Sequence, residues 1–338
     1  GTLPRRRHPV TSALGVAAVL RAGRRLRPDV VYVYRYWDIP YAVALRTLTG
    51  APVVFHLCLP PPTAVPRWLR ACLGRVDRIV SVSRDTAARW EGTGLSPGRT
   101  SVVLTGIDLA RYVPGGAEQR GETRRGLAVA EDAFVVLYAG RIGREKGVDV
   151  LVRAFAQVAA ARPGGHLWVV GSPSLGADPL DSARYEAELR ELAAGLAVTF
   201  LPAQPDVLAL IQAADLAVVP SLWPEPLSRS VMEPLACGIP VVATRVGGNP
   251  EILTGWLAGY LVEPHDAAGL AERILSLHRW RLSDPGLGAR CRREAEARLS
   301  LDTEVDAVEA AIDDATRARH RPSRRRRSTS PRDATSCG

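Results

Sequence analysis

Two carboxylates lie eight residues apart in the run Glu225-Pro226-Leu227-Ser228-Arg229-Ser230-Val231-Met232-Glu233. A carboxylate in a turn accepts hydrogen bonds from sugar hydroxyls, and one inside the following helix can hold a ribose diol with both oxygens. Ser228 suits a helix N-cap, so the amides around Ser228, Arg229 and Ser230, with Leu227 beside them, are placed to meet an anion or a sugar oxygen. A second loop, Gly140-Arg141-Ile142-Gly143-Arg144-Glu145-Lys146-Gly147, follows an apolar run and precedes a helical one. There Arg141 offers a planar fork and Lys146 a mobile point charge, a combination suited to a diphosphate. The loop lacks a Gly-Lys-Ser/Thr ending, and its glycine spacing is not GxGxxG, so no dinucleotide cofactor is called for.

Three further places complete the set. Gly171-Ser172 follows a short apolar run and can touch a base or a phosphate. Gly247-Gly248 closes the run 241–246, where glycine lets a ligand approach the backbone or takes positive φ. His56, after Val53-Val54-Phe55, can donate to a hydroxyl or to developing negative charge. Each also has a plainer reading: Glu225 as a surface turn residue, Glu233 as the i+4 partner of Arg229, the glycines as tight turns, and His56 as a satisfied structural histidine. Tyr34-Arg35-Tyr36-Trp37-Asp38 suggests an acceptor surface or an exposed aromatic patch. Ser83 and Arg84 mark a strand end or an ordinary helix cap.

These residues sit at the ends of Val/Ile-rich runs that alternate with Ala/Leu/Arg-rich helical patterns. In the first half, strands are expected at 30–34, 52–57, 78–82 and 101–104, and helices at 11–25, 65–73 and 84–91. In the second half, strands are expected at 134–139, 167–170, 198–201, 216–219, 240–244 and 259–262. The helices there are expected at 148–161, 182–194, 205–212, 229–237, 267–277 and 288–299, with a last amphipathic one at 305–318. Apolar residues on both faces of each strand imply parallel sheets covered by helices. Two such α/β units leave a cleft at the carboxyl ends of their strands. The domain reading is 1–115, an extended linker at 116–130, 131–300, a C-terminal helix at 301–318 and a disordered basic tail at 319–338.

Composition narrows the class. No apolar run approaches a membrane span. Five scattered cysteines with no CxxC pair argue against a disulfide scaffold and a structural zinc site, which fits a cytoplasmic setting with peripheral contact at the inner membrane face as the closest approach to lipid. The net charge of +9 is concentrated at the two ends. Residues 1–28 carry seven arginines and no acid, and residues 311–338 carry eight arginines against three aspartates. Arginines without interleaved aromatics or apolar periodicity do not point to specific nucleic-acid binding.

The pieces together resemble the retaining, nucleotide-sugar-dependent glycosyltransferases of family 4, also called group 1, which have the GT-B fold. The resemblance rests on Gly140-Arg141 with Lys146-Gly147, on the Glu225 and Glu233 pair, on Ala236-Cys237-Gly238-Ile239-Pro240-Val241-Val242-Ala243 and on Gly247-Gly248. Ala213-Ala214-Asp215-Leu216 and Thr105-Gly106-Ile107-Asp108 fit as well. It is specific over about 130–300 and looser over about 25–115.

The resemblance implies two Rossmann-like domains facing across a cleft, the first binding the acceptor and the second the nucleotide sugar. It further implies that Arg141 and Lys146 hold the diphosphate, that Glu225 meets the donor sugar and Glu233 the ribose, and that His56 lies near the transferred group. The partners implied are a nucleoside-diphosphate sugar and a small-molecule, glycan or lipid-linked acceptor. No cofactor is implied, and the absence of Asp-x-Asp gives no reason to require a metal. The expected reaction moves a hexosyl or N-acetylhexosaminyl group with retention. A catalytically impaired sugar-nucleotide binder and a nucleotide-sugar epimerase of related fold are the alternatives. Two departures stand out. Ser228 occupies a position where the family usually has glycine. The family's opening strand and glycine-rich loop find no match, so the first domain is expected to be incomplete at its start.

Overall fold

The computed structural model describes residues 9–173 and 178–320. The expected disordered tail, from 319 onward, lies almost wholly outside them, as do residues 1–8. The first half runs α1 (Pro9–Leu26), β1 (Val31–Val33), α2 (Ile39–Thr49), β2 (Val53–Leu57), α3 (Arg67–Leu73), β3 (Arg78–Ser81), α4 (Arg84–Arg89) and β4 (Thr100–Val102). Its four strands form one parallel sheet in the order β1-β2-β3-β4. On one face, Val53, Phe55 and Leu57 of β2 pack with Ile39 and Val43 of α2, Leu69 and Leu73 of α3, and Trp90. Helix α2 was not foreseen. Its Pro40 stands in the first helical turn, where the missing N–H costs nothing.

The segment 116–130 is not extended as expected, because it carries helix α5 (Ala117–Gly126). This helix has no apolar stripe for a sequence reading to detect. Arg124 holds it instead. Its guanidinium is fully buried and makes five hydrogen bonds, to Ala213 O twice, Glu131 O, Ala133 O and the Asp215 carboxylate. Asp215 also binds Arg120, Arg281 and the Val135 amide. Removing one partner from a buried network of this kind costs about 3–5 kcal/mol.

The second half continues β5 (Phe134–Ala139), α6 (Val148–Ala161), β6 (Gly165–Val170), α7 (Pro179–Leu192), β7 (Val198–Leu201), α8 (Leu208–Ala213), β8 (Leu216–Val219), α9 (Arg229–Ala236), β9 (Val241–Thr244), α10 (Asn249–Ile252), β10 (Leu261–Val262), α11 (Ala267–Ser276), α12 (Trp280–Ser283) and α13 (Leu287–Arg298). The six-stranded parallel sheet has the order β10-β9-β8-β5-β6-β7. Strands β5, β6, β8 and β9 are buried almost throughout, as their largely apolar runs require.

The chain then crosses back. Residue Ile107 bridges Ser300, and α14 (Leu301–His320) lays Ala311 and Ala315 on Val54, Val80 and Val103 of the first half. Arg78 on β3 binds Asp314 at 2.6 Å. The last helix of the chain thus covers the sheet formed by the first strands, and the result is two parallel-sheet α/β domains across a cleft. Among the described residues, no helix is long and apolar enough to cross a membrane.

Candidate active site

Strand β5 opens the second sheet, and the chain then extends it on one side through β6 and on the other through β8. The carboxyl ends of these strands form the switch point where open α/β sheets bind ligands. A cavity of about 700 Å³ lies there, lined by Gly140, Arg141, Gly171, Ser172, Arg229 and Glu233 among others. A smaller chamber of about 190 Å³ shares Gly140, Arg141 and Arg229 with it and adds Lys146, Ser221, Glu225, Leu227 and Ser228. The structure therefore brings ten of the thirteen expected site residues to one place.

Inside the chamber Lys146 Nζ forms an ion pair with Glu225 Oε1, the two side chains being 12% and 15% exposed. Ser221 Oγ donates to the same carboxylate oxygen at 2.6 Å. Each ion is the other's counter-charge in a nearly dry space, where an unpaired charge is expensive. A diphosphate arriving at Lys146 and hydroxyls arriving at Glu225 would each replace pairing that the other group supplies in their absence.

Glu233 accepts from Arg229 Nε at 2.9 Å, which is the plain i+4 pair, and its carboxylate lines the cavity wall. Tyr112 adjoins this pair. Burial, with the nearby Glu233 charge added, raises its phenol above the ordinary value, so the hydroxyl remains a donor. Ser228 occupies the N-cap of α9 without a side-chain cap bond; the Val231 amide turns back to Ser228 O at 3.1 Å, and the Arg229 and Ser230 positions at the helix start line both spaces. Ser230 Oγ ties that turn to Ala139 O at 2.8 Å, and Tyr138 donates to Arg141 O from the strand behind. Ser221, Tyr138 and Tyr112 were not foreseen, nor was the side-chain bond of Ser230, of which only the amide was expected at the site. Only Ser221, directly after β8 and four residues before Glu225, left a local trace in the sequence.

Gly247 and Gly248 do not line either space. Gly247 has φ +55, and a Cβ there would lie 2.1 Å from Glu225 O; at Gly248 it would lie 2.3 Å from Pro226 O. The Gly248 amide donates to Glu225 O at 2.7 Å. The pair serves the site by letting the turn after β9 press against the loop that carries Glu225. Gly171 acts similarly, since a Cβ would lie 1.8 Å from Gly140 O.

His56 stands apart from this cavity. It lies on the sheet face that Val54 turns toward α14, and its Nδ1 is 2.6 Å from Tyr32 Oη. Its Nε2 is buried without a partner, and burial lowers its pKa below the ordinary 6.5. It is thus a neutral ring at pH 7. The carboxyl edge of the first sheet is otherwise aromatic and open. Tyr34 and Trp37 are 56% and 44% exposed, and the Arg35 guanidinium lies over both rings at 5.2 and 5.7 Å. Among the described residues, no group of three or more His, Cys, Asp and Glu is arranged to hold a metal ion.

This arrangement matches known proteins. Residues 119–298 match the family described as Glycosyl transferases group 1, and residues 2–111 match Glycosyltransferase Family 4. The chain is 31% identical to the D-inositol 3-phosphate glycosyltransferase of Acidothermus cellulolyticus, over 93% of this chain and 74% of that protein. It is 37% identical to the enzyme of the same name from Geodermatophilus obscurus, over 87% of this chain and 69% of that one. Among solved structures, Anabaena Alr3699/HepE in complex with UDP superposes with a TM-score of 0.79 at 22% identity, covering 88% of this chain and 82% of that one, and the same protein is known with UDP-glucose. At that identity the likeness speaks to the fold. Motifs, topology and relatives agree: the chain is a nucleotide-sugar-dependent glycosyltransferase of GT-B fold and belongs to the group 1 glycosyl transferases.

Proposed function

We propose that this enzyme moves a hexosyl or N-acetylhexosaminyl group from a UDP-sugar to a hydroxyl of a small polyol acceptor, with retention at the anomeric carbon. The single observation that carries the proposal is the Lys146–Glu225 pair at the switch point, with Glu233 and the start of α9 beside it. It sets cations for a diphosphate and carboxylates for hydroxyls within one cavity. The choice of uridine is supported by the UDP and UDP-glucose complexes of Alr3699/HepE. A polyol acceptor is supported by the names of the relatives from Acidothermus and Geodermatophilus.

In this reading the half from 131 to 300 binds the donor and the half up to 115 binds the acceptor. Glu233 holds the ribose diol, and Gly171-Ser172 lies beside the base or the phosphates. Arg141, Lys146 and the first amides of α9 surround the diphosphate, whose negative charge grows as the bond to the anomeric carbon breaks. Glu225 orients the sugar through its hydroxyls. None of these residues is placed as a nucleophile, so the acceptor attacks from the face the diphosphate leaves, and the departing phosphate oxygen takes its proton. Charge neutralisation falls to the cations and amides of the chain rather than to a divalent ion. His56, neutral and held by Tyr32, serves as a hydrogen-bonding wall on the acceptor side rather than as an acid.

The test is product stereochemistry. A panel of UDP-, GDP- and ADP-sugars is supplied with inositol phosphates and simple polyols, and the product is read by proton NMR. The proposal expects turnover with a UDP-sugar and an axial anomeric linkage from an axial donor. An inverted product would overturn the mechanism, and release of free sugar at equal rates with and without acceptor would overturn the transferase reading.

A further inference from the structure

Beside the contacts where the chain passes between the halves, such as Arg111 with Asp206 and Arg292 with Leu109 O and Tyr112 O, one further polar contact joins them away from the donor cavity and the acceptor edge. Glu251, on α10, reaches across the cleft to the start of α4. Its Oε2 accepts from the Arg84 amide at 2.8 Å and its Oε1 from the Asp85 amide at 2.9 Å. The next amide, Thr86 N–H, is taken by Ser83 Oγ at 3.1 Å. The first three amides of α4 are therefore filled by one residue of its own half and one carboxylate from the other.

Both ends of this bridge are stiff. On the α4 side, Ser81, Ser83 and Thr86 are buried and bonded together, Ser81 Oγ to Ser83 O at 2.9 Å and Ser83 Oγ to Thr86 Oγ1 at 2.8 Å. Ser81 ends β3, the strand next to His56. On the other side, Arg298 donates to Glu251 O at 2.5 Å and to Ile252 O at 3.0 Å, and buried Asn249 binds Thr244 O at 3.0 Å. The residues just before α10 are Gly247 and Gly248, pressed on the backbone of Glu225. A short rigid path thus runs from the sugar-facing carboxylate through the glycine turn to Glu251 and on to the strand beside His56.

We infer that Glu251 is a positioning residue for the transfer reaction: its carboxylate pins the acceptor half to the donor half in the register that brings the two substrates together. It touches neither substrate. Its effect lies in the closed arrangement, because misplacing a reacting group by about 1 Å costs roughly a hundredfold in rate. A carboxylate accepting two backbone amides at a helix start makes charge-assisted bonds that a neutral side chain cannot match in number. The inference rests on the reading above that donor and acceptor occupy opposite halves.

The experiment compares wild type with Glu251→Ala, Glu251→Gln and Glu251→Asp by steady-state transfer, UDP calorimetry and thermal melting. Expected is a kcat lowered about tenfold to a hundredfold in the alanine variant, with UDP affinity within about twofold of wild type and an intact cooperative melt. Glutamine keeps one acceptor oxygen and should recover part of the rate. A cysteine pair labelled across the cleft should show a broader distance distribution in the alanine variant. Unchanged kcat in a folded alanine variant overturns the pin. So does a fall in UDP affinity that accounts for the whole loss, because Glu251 would then act on the donor site alone. Wild-type protein that fails to bind UDP would instead count against the donor reading, which keeps the two failures apart. If the alanine variant does not fold, the glutamine variant decides: wild-type turnover there overturns the pin.

Discussion

The carboxyl edge of the second sheet and that of the first are built in opposite ways. At the second, the Lys146–Glu225 ion pair is mostly withdrawn from solvent, and its loops are pressed together by glycine contacts closer than any Cβ allows. At the first, aromatic rings stand in solvent, and one neutral histidine is held by a tyrosine. Under the proposed function the difference fits the two substrates. A nucleoside diphosphate has fixed charges and shape, so groups arranged in advance lose little on binding it. An open aromatic edge makes area and stacking contacts that tolerate variation in an acceptor.

Lys146→Ala should break the contrast most severely. It removes the cation and leaves Glu225 buried without its partner. The expected loss in kcat/KM is about two to three orders of magnitude, read in a transfer assay. Glu225→Ala should approach it, and the double variant should lose less than the sum because the two act as a unit. Next comes Gly247→Ala, at a φ of +55 and against the Glu225 backbone. A destabilisation of about 1–3 kcal/mol is expected from strain alone. Donor affinity should fall with it even though the residue does not line the cavity, as calorimetry with UDP would show.

On the other edge, Trp37→Ala should raise the acceptor KM several-fold while leaving UDP affinity and the melting temperature nearly unchanged, since the ring is exposed. Steady-state kinetics at saturating donor would separate this from a general loss. Removal of divalent ions with a chelator should change the rate by less than about twofold if the cations of the chain neutralise the diphosphate as proposed. A smaller effect concerns acid. Folded His56 has a pKa below 6.5, so between that lowered value and 6.5 the unfolded chain binds more protons, and stability falls as the pH drops through the window. His56→Gln should flatten that part of the melting-temperature profile. His166 and His278, also lowered by burial, keep theirs.

Much of this was legible in the sequence where one local rule governs. Strands 134–139 and 216–219 stand at their expected bounds because a run buried on both faces has no other stable place, and the half-buried edge strand 198–201 stands at its expected bounds as well. That Gly140, Arg141, Lys146, Glu225 and Glu233 would converge was legible because they stand at the carboxyl ends of strands of one parallel sheet, which meet at one edge. Helix α5 was not, since its stability comes from Arg124 meeting carbonyls nearly ninety residues away rather than from an apolar stripe. The role of Gly247-Gly248 was also hidden. A glycine pair after a strand reads as ligand access, and only the fold shows that the Glu225 backbone fills that space. His56 was legible as a candidate but not in its place, because its face of the sheet is set by α14, which returns from the far end of the chain.

The most direct measurement is a calorimetric titration of UDP into the wild-type protein and into Glu233→Ala and Lys146→Ala. One site per chain is predicted for wild type, weakened about tenfold or more in each variant, with heat signals restored by neither acceptor nor divalent ion. Absence of binding to the wild type, or equal affinity in all three proteins, would contradict the assignment of the cavity at β5, β6 and β8 as the donor site.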